Sequence, residues 1–457
     1  MKITGIETLR ADAGWRMFSF LKVMTDSGTV GWSEFNESFG SAGLANVIDE
    51  LGAALIGRDP RASEQIVAHL HVLTRQSRGG LNQQAIAAIE NALLDLRGKD
   101  LGVPVYALFG GPVRTRIPTY WSHMSTYRIR NAALVGAPPL RNYDDVARHA
   151  EEIRKAGFKA MKTNIMAWDG AKLSSYGGGF GRNPGWPELN WSPEALRYTA
   201  DTLAAVRAGA GPDLGVMLDT NFHFKTEGFR RIADTVAPYN LTWLEIDQHD
   251  AASLASIRAM APCPIASCET LCGRRDFKPF FEAYAMDVPI IDVVWNGLGE
   301  SVKIAAMAEV YEMNVAPHNF YGHLCSVISA NLCAIVPNFR VMEIDIDSVS
   351  WRDEFFTTIP VVENGEFVMP TGPGWGIDIN EAAQLITQAA AQYSPNDRER
   401  FYQYVRNEPM AAAQLRAPLF EDKVVDFLFD KADISDREVT REALEAAIES
   451  DDGFDTG

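Results

Sequence analysis

The chain opens on a period of two. Apolar and polar positions alternate through MKITGIETLR and FLKVMTDSGTVGWSE, from Lys2 to Glu34, which predicts strands turning at Asp26-Ser27-Gly28. The loop between them, ADAGWRMFSF, is rich in aromatics and places Trp15 where it could reach over a neighbouring pocket. The period then lengthens to three and four. Helices are predicted from Leu44 to Leu55 and from Ala62 to Thr74, separated by Asp59-Pro60. A third runs through NQQAIAAIENALLDLRGKDLG until Gly102 and Pro104 stop it, so an α+β domain closes near Pro112.

Beyond that point strands and helices alternate. IPTYWSHM and FKAMKTNI read as strands, with a helix from Asp144 to Ala156 between them. After Lys162 and Asn164 the rhythm breaks at MAWDGAKLSSYGGGFGRNPGWPELNW, too long for a plain connection and placed where a lid would sit. Ser192 caps the next helix, which begins Pro193-Glu194 and runs to about Gly209. Then Asp219, Glu245, Glu269, Asp292, His318 and Glu343 follow at intervals of 26, 24, 23, 26 and 25, each at or just after a short apolar run. A strand, a returning helix and two loops use about this many residues, and the alternation implies a parallel sheet with right-handed crossovers. Closed into a barrel, those strands place all six side chains around one mouth. Past Phe355 the text is turn-rich, with a helix from Glu381 to Gln392 and a capped acidic helix in SDREVTREALEAAIESDD.

Composition narrows the partners. A chain of 457 residues suggests two domains or a barrel with additions. Its net charge of −18 argues against nucleic acid; residues 421–457 hold 13 acids and 4 bases, half of that excess. No basic-then-apolar leader and no bilayer-length apolar run are present, so a cytoplasmic protein with no membrane partner is expected. The five cysteines follow no zinc or disulfide spacing and are expected to be reduced and mostly buried, with Cys268 beside Glu269 placed to line the site. A homo-oligomer acting on a small hydroxy-carboxylate is expected.

The six recurring residues suggest a division of labour. Asp219, Glu245 and Glu269 on adjacent strands would make an oxygen cage suited to Mg²⁺, and no cysteine or histidine cluster favours zinc. His318 would be the base, with Asp292 on its other ring nitrogen fixing the tautomer. Lys162 would neutralise a substrate carboxylate or serve as a second acid or base, Glu343 would hydrogen-bond the substrate or its enolate, and His223 could protonate a departing group. Asn164, Asn221, Asn319 and Trp15 are candidate substrate contacts. Taken singly, each has a bland reading: an ordinary strand-end acid, a core histidine, a solvated lysine, a loop imidazole. Six in register argue against it.

These residues also carry a resemblance. TDSGTVGWSE and AIENALLDLRGKDLGVPVYALFGG resemble the capping domain of the enolase superfamily, in its mandelate racemase subgroup, and the likeness runs from about Met1 to Asn380. LDTN, WLEID and ASCET look like the family's three metal-ligand strands, and DVVWNGLGES with APHN resembles its aspartate–histidine dyad. The resemblance implies an α/β fold: a (β/α)7β TIM-like barrel (114–355) under an α+β cap (1–113), followed by a segment returning to the cap (356–420); the acidic helical extension (421–457) lies outside the family's pattern. It also implies Mg²⁺ on Asp219, Glu245 and Glu269. Two departures stand out. The family's second strand often reads K-x-K, but here it is Lys162-Thr163-Asn164, as in some sugar-acid dehydratases of the subgroup; and Ile246-Asp247 replaces the Glu-Pro that usually follows Glu245.

The expectation is therefore a Mg²⁺-dependent dehydratase, a carbon–oxygen lyase, of an aldonate-type sugar acid. His318 would take the proton α to the carboxylate through a metal-stabilised enediolate, and loss of the β-hydroxyl would give a 2-keto-3-deoxy acid. The alternative is a racemase, epimerase or cycloisomerase of the same superfamily. A metal-free glycosidase using two barrel carboxylates and a non-catalytic binding protein are weaker readings.

Overall fold

In the computed structural model the N-terminal alternation becomes β1 (Ile3–Asp12), β2 (Met17–Thr25) and β3 (Val30–Phe35), an antiparallel sheet in that order. The structure describes residues 1–38, 40–177 and 191–391, with scattered positions beyond. Leu21, Val23 and Phe35 of the sheet share a core with Ile86, Ile89 and Leu93 of the helix Gly80–Leu101. That helix is buried on nearly every side, polar residues included. Asp95 accepts the backbone N–H groups of Trp32 (2.8 Å) and Trp375 (2.9 Å), and Asn91 accepts that of Leu298 (3.0 Å). The polar letters in AIENALLDLRGKD thus satisfy backbone groups that burial would otherwise orphan.

The remaining strands follow the predicted order. β4 (Arg116–Trp121) and β5 (Ala160–Asn164) begin the barrel, and β6 (Met166–Trp168) with β7 (Leu173–Ser175) forms a separate hairpin. β8 (Gly215–Asp219), β9 (Trp243–Glu245), β10 (Ile265–Ser267), β11 (Val288–Asp292), β12 (Ala316–His318) and β13 (Met342–Ile344) complete it. Parallel neighbours run β13-β4-β5-β8-β9-β10-β11-β12. Asn319 joins the two ends by donating its amide to the Glu343 carbonyl at 3.0 Å. β14 (Val362–Glu363) and β15 (Glu366–Val368) form an antiparallel hairpin; β15 pairs with the first half of β4 and β13 with the second.

Tyr120, Met217, Trp243, Ala266, Ile290 and Ala316 fill the barrel interior, so the sheet encloses packed side chains and not a pore. The cap is stitched to the barrel by charge. Glu34, at the end of β3, accepts the N–H groups of Gly322 (2.7 Å) and Cys325 (3.0 Å), in the first turn of the helix His323–Ile335. A Cβ on Gly322 would lie 2.6 Å from that carboxylate, so the approach requires glycine.

Residues Met1–Gln384 form one compact unit and Leu385–Gly457 another. The predicted acidic helix lies almost wholly outside the described residues, as do residues 178–190 of the insertion expected to act as a lid. No described helix is long and apolar enough to cross a membrane.

Candidate active site

Register brings the predicted residues together. Asn164 pairs with Asp219 and Asp219 with Glu245, so the ends of β5, β8 and β9 form one row; Asp292 pairs with His318 on the far side. Glu269 sits two residues past β10 and Glu343 on β13. All six recurring side chains therefore belong to one end of the barrel, which the strand period dictates.

Lys162 is the cation among them. Its Nζ lies 2.8 Å from Glu245, 2.9 Å from Glu343 and 4.0 Å from Asp219. Burial would lower its pKa, but Glu245 and Glu343 hold it well above the ordinary lysine value. A lysine so held stays an ammonium, which fits the neutralising role and not that of a second base. Glu343 also accepts the Asn319 N–H (2.8 Å) and the Ser122 hydroxyl. Burial would raise its pKa, yet Lys162, His318 and His123 keep it below the carboxylate range. One ammonium cannot balance two carboxylates, so Glu245 is left in excess: burial drives its pKa up, Lys162 opposes, and Asp219, Glu269 and Glu343 add to the rise. The Trp243 indole N–H steadies Glu245 from the barrel interior at 2.9 Å.

Opposite stands the imidazole. His318 Nδ1 meets Asp292 at 2.7 Å, and Asp292 also takes the Tyr321 hydroxyl and the Trp295 N–H (2.8 Å). Nε2 faces Glu269 at 3.6 Å. Burial would lower the His318 pKa, but Glu269 and Asp292 push it up to about 10.

Other predicted residues take different parts. Asn319 is fully buried and bonds Glu343 and Ser326, so it positions Glu343 and does not line the mouth. His223 is buried edge-on to Tyr176 and Phe224, and burial lowers its pKa to about 4, which leaves it neutral and unsuited to protonating a leaving group. Asn221, at φ +48°, donates its N–H to Asp219 (2.8 Å), and Asn164 is tied to Thr126 (3.0 Å) and to the Asp219 carbonyl. Trp15 packs on Tyr127 at 4.8 Å between ring centroids. Cys268 is buried and its thiol pushed up by burial, so it is inert filling.

The sequence reading passed over a second imidazole–carboxylate pair. His123, two residues past β4, meets Asp345 through Nδ1 at 2.9 Å and Ser122 at 3.1 Å, and stacks on Tyr127 at 4.7 Å. Asp345 is anchored by Arg16 (2.9 Å), from the loop between β1 and β2, and by the Tyr127 hydroxyl (3.0 Å). Phe320 lies between the two histidines, 4.9 Å from the ring of His318 and 6.1 Å from that of His123. Asp345 follows Glu343 by two, and His123 follows a strand end as the ring residues do; that shared placement was the signal available.

As these side chains stand, no three of the described histidines, cysteines, aspartates and glutamates converge to hold an ion. The donor set nonetheless fits a hard divalent cation. Asp219, Glu245 and Asp247 are buried carboxylates with one ammonium among them, and all three have raised pKa values, with burial the largest cause.

Comparison with known proteins bears on this arrangement. Residues 145–383 match the family described as Enolase C-terminal domain-like, and residues 7–110 match the mandelate racemase / muconate lactonizing enzyme N-terminal domain. The chain belongs to the enolase superfamily. Within the superfamily it is similar to a D-galactarolactone cycloisomerase of Agrobacterium fabrum, 30% identical over 80% of this chain and 90% of the relative. It is also similar to a D-galactonate dehydratase of Ralstonia nicotianae, 29% identical over 86% and 95%. A solved structure from Burkholderia xenovorans LB400, provisionally named L-alanine-DL-glutamate epimerase and bound to magnesium and fumarate, shares 49% identity. It covers 84% of this chain and 95% of its own, with a TM-score of 0.82. Asn164 and Asp247, where the sequence departs from the motifs it resembles, lie at the exits of β5 and β9.

Proposed function

We propose that this chain is a Mg²⁺-dependent dehydratase of an aldonate-type sugar acid. The observation that carries the reading is the His318–Asp292 pair facing a row of carboxylates, with Lys162 locked as an ammonium and Asn164 where a second lysine base would stand. That leaves one strong base, on one face. The dehydratase names among its relatives, with galactonate, gluconate and xylonate as substrates, agree with this class.

A divalent cation held by Asp219, Glu245 and Glu269 would supply Lewis acidity toward the substrate carboxylate and so acidify its α C–H. A cation engaging the Glu269 charge would remove part of what holds the His318 proton, and His318 in its neutral form would be the base. It takes the α-proton on Nε2, the β C–O bond breaks, and the hydroxyl leaves as water. The proton for that water comes from His123 Nε2, since Nδ1 is committed to Asp345 and His223 is walled off. His318 returns its proton to the β-carbon, the enol O–H proton passes to solvent as the 2-keto acid forms, and His123 regains one proton from solvent, so that the sum is loss of one water. Lys162 orients the substrate carboxylate, and the ionised Glu343 accepts from a substrate hydroxyl.

The test is to incubate the protein and Mg²⁺ with a panel of aldonates and assay for 2-keto acids. Turnover of at least one, lost in His318→Asn, is expected; wild-type inactivity across the panel, or full activity in the variant, sinks the reading. Epimerisation is the second reading, favoured by the name of the Burkholderia relative. It requires α-proton exchange in D₂O without loss of water.

A further inference from the structure

Asp247 is the residue that the reaction above leaves unused. Two positions past Glu245, it lies in the loop by which the chain leaves β9. It is 4% exposed, and no N–H or O–H of the described residues donates to its carboxylate; the group within hydrogen-bonding reach is the Glu269 carboxyl, which can bond it only if the two share a proton. Its own N–H goes to the Asn221 carbonyl (3.3 Å), lacing its loop to the one that follows Asp219. The charges it faces are Glu269, Asp219 and Glu245, all of its own sign. The nearby ammonium, Lys162, is engaged by Glu245 and Glu343. A buried carboxylate that meets carboxylates and receives no N–H or O–H is costly to keep charged, and a group from outside the chain is the usual compensation.

We propose that Asp247 is a fourth carboxylate of the divalent-cation centre and reaches the ion through one of its water ligands. Glu245 ends the strand itself and has the longer side chain, so the direct position belongs to it. Mg²⁺ keeps several of its waters, and an acceptor above the ion orients one of them. The Ile246-Asp247 pair that departs from the superfamily pattern would thereby tighten the hold on the ion. This rests on Asp219, Glu245 and Glu269 being cation ligands.

The test needs no substrate. The full chain, freed of metal by chelation, is titrated with Mn²⁺ and the free ion read by electron paramagnetic resonance, for the wild type, Asp247→Asn and Asp247→Ser. Affinity should fall about 10- to 100-fold in both variants. The metal-free melting temperature should stay level or rise, because a like charge has been removed from the cluster. Equal or tighter Mn²⁺ binding in the variants overturns the proposal and points to a proton shared between Asp247 and Glu269. Weaker binding with a lowered metal-free melting temperature overturns it as well, since the residue would then be structural. A wild type that takes up no Mn²⁺ brings down the cation reading itself, an outcome distinct from both.

Discussion

His318 and His123 are chemically alike, and their partners set them apart. His318 leans on Asp292, which the Tyr321 hydroxyl and the Trp295 N–H hold in place, so the ring cannot rotate without giving up its bond to a fixed carboxylate. Replacing Asp292 with Asn frees the tautomer while keeping the shape; kcat should drop roughly 10²- to 10⁴-fold with KM little changed, and a KM-only effect would show that Asp292 serves binding instead. His123 has a task only where a poor leaving group needs a proton. His123→Asn should slow water loss from an aldonate by about 10²-fold or more, yet eliminate fluoride from the corresponding 3-deoxy-3-fluoro acid at nearly the wild-type rate, because fluoride departs with less help. Equal slowing of both substrates would reduce His123 to a packing role. Neither experiment depends on which sugar acid fits best.

At the scale of elements, what was legible in the sequence followed from geometry that repeats. A strand with its returning helix occupies a fixed length, so the spacing of Asp219, Glu245, Glu269, Asp292, His318 and Glu343 is enough to place them at one end of a barrel. Contacts between distant segments leave no such period. Asp345 meeting His123, Arg16 reaching from the cap loop, and β15 pairing with the start of β4 join positions hundreds of residues apart. The helix Gly80–Leu101 shows the same limit: its sequence marks the family, but nothing local says that Glu90 is buried against Gly297 and Gly299. Burial is the largest cause raising the Glu90 pKa to about 8. For a carboxylate whose folded pKa lies above the unfolded one, the native state holds the extra proton, so stability is full at low pH and falls as pH rises toward 8. Thermal melts from pH 5 to 8 should show a decline to which Glu90 adds at most about 1.4 kcal/mol for each pH unit climbed, and Glu90→Gln should make it shallower and gain stability at pH 8. A variant as pH-sensitive as the wild type would assign the decline to other buried acids such as Glu34, raised to about 7 by burial.

For the molecule as a whole, cap and barrel within residues Met1–Gln384 share more than a boundary. Glu34 of the cap supplies acceptors for a barrel helix, Asp95 ties Trp32 to Trp375, and Arg16 fixes Asp345 beside the mouth. Groups buried at such a seam lose their partners if one side opens alone, and that cost couples the two sides. The unit should therefore unfold in a single transition, and an ion bound at the mouth should stabilise cap and barrel together. Mg²⁺ at a hundredfold excess over its dissociation constant adds about 2.7 kcal/mol to any state that binds it. For a unit of this size that corresponds to a rise in melting temperature of roughly 3 °C. The measurement is a calorimetric melt of the full chain with Mg²⁺ and again with chelator, with the ¹⁹F resonances of Trp32 in the cap and Trp243 in the barrel followed in parallel in fluorotryptophan-labelled protein. Both probes should move together. If the barrel signal shifts with Mg²⁺ while the cap signal stays, the seam does not transmit the site's stability; if neither shifts at saturating Mg²⁺, the carboxylate ring binds no ion in the folded chain.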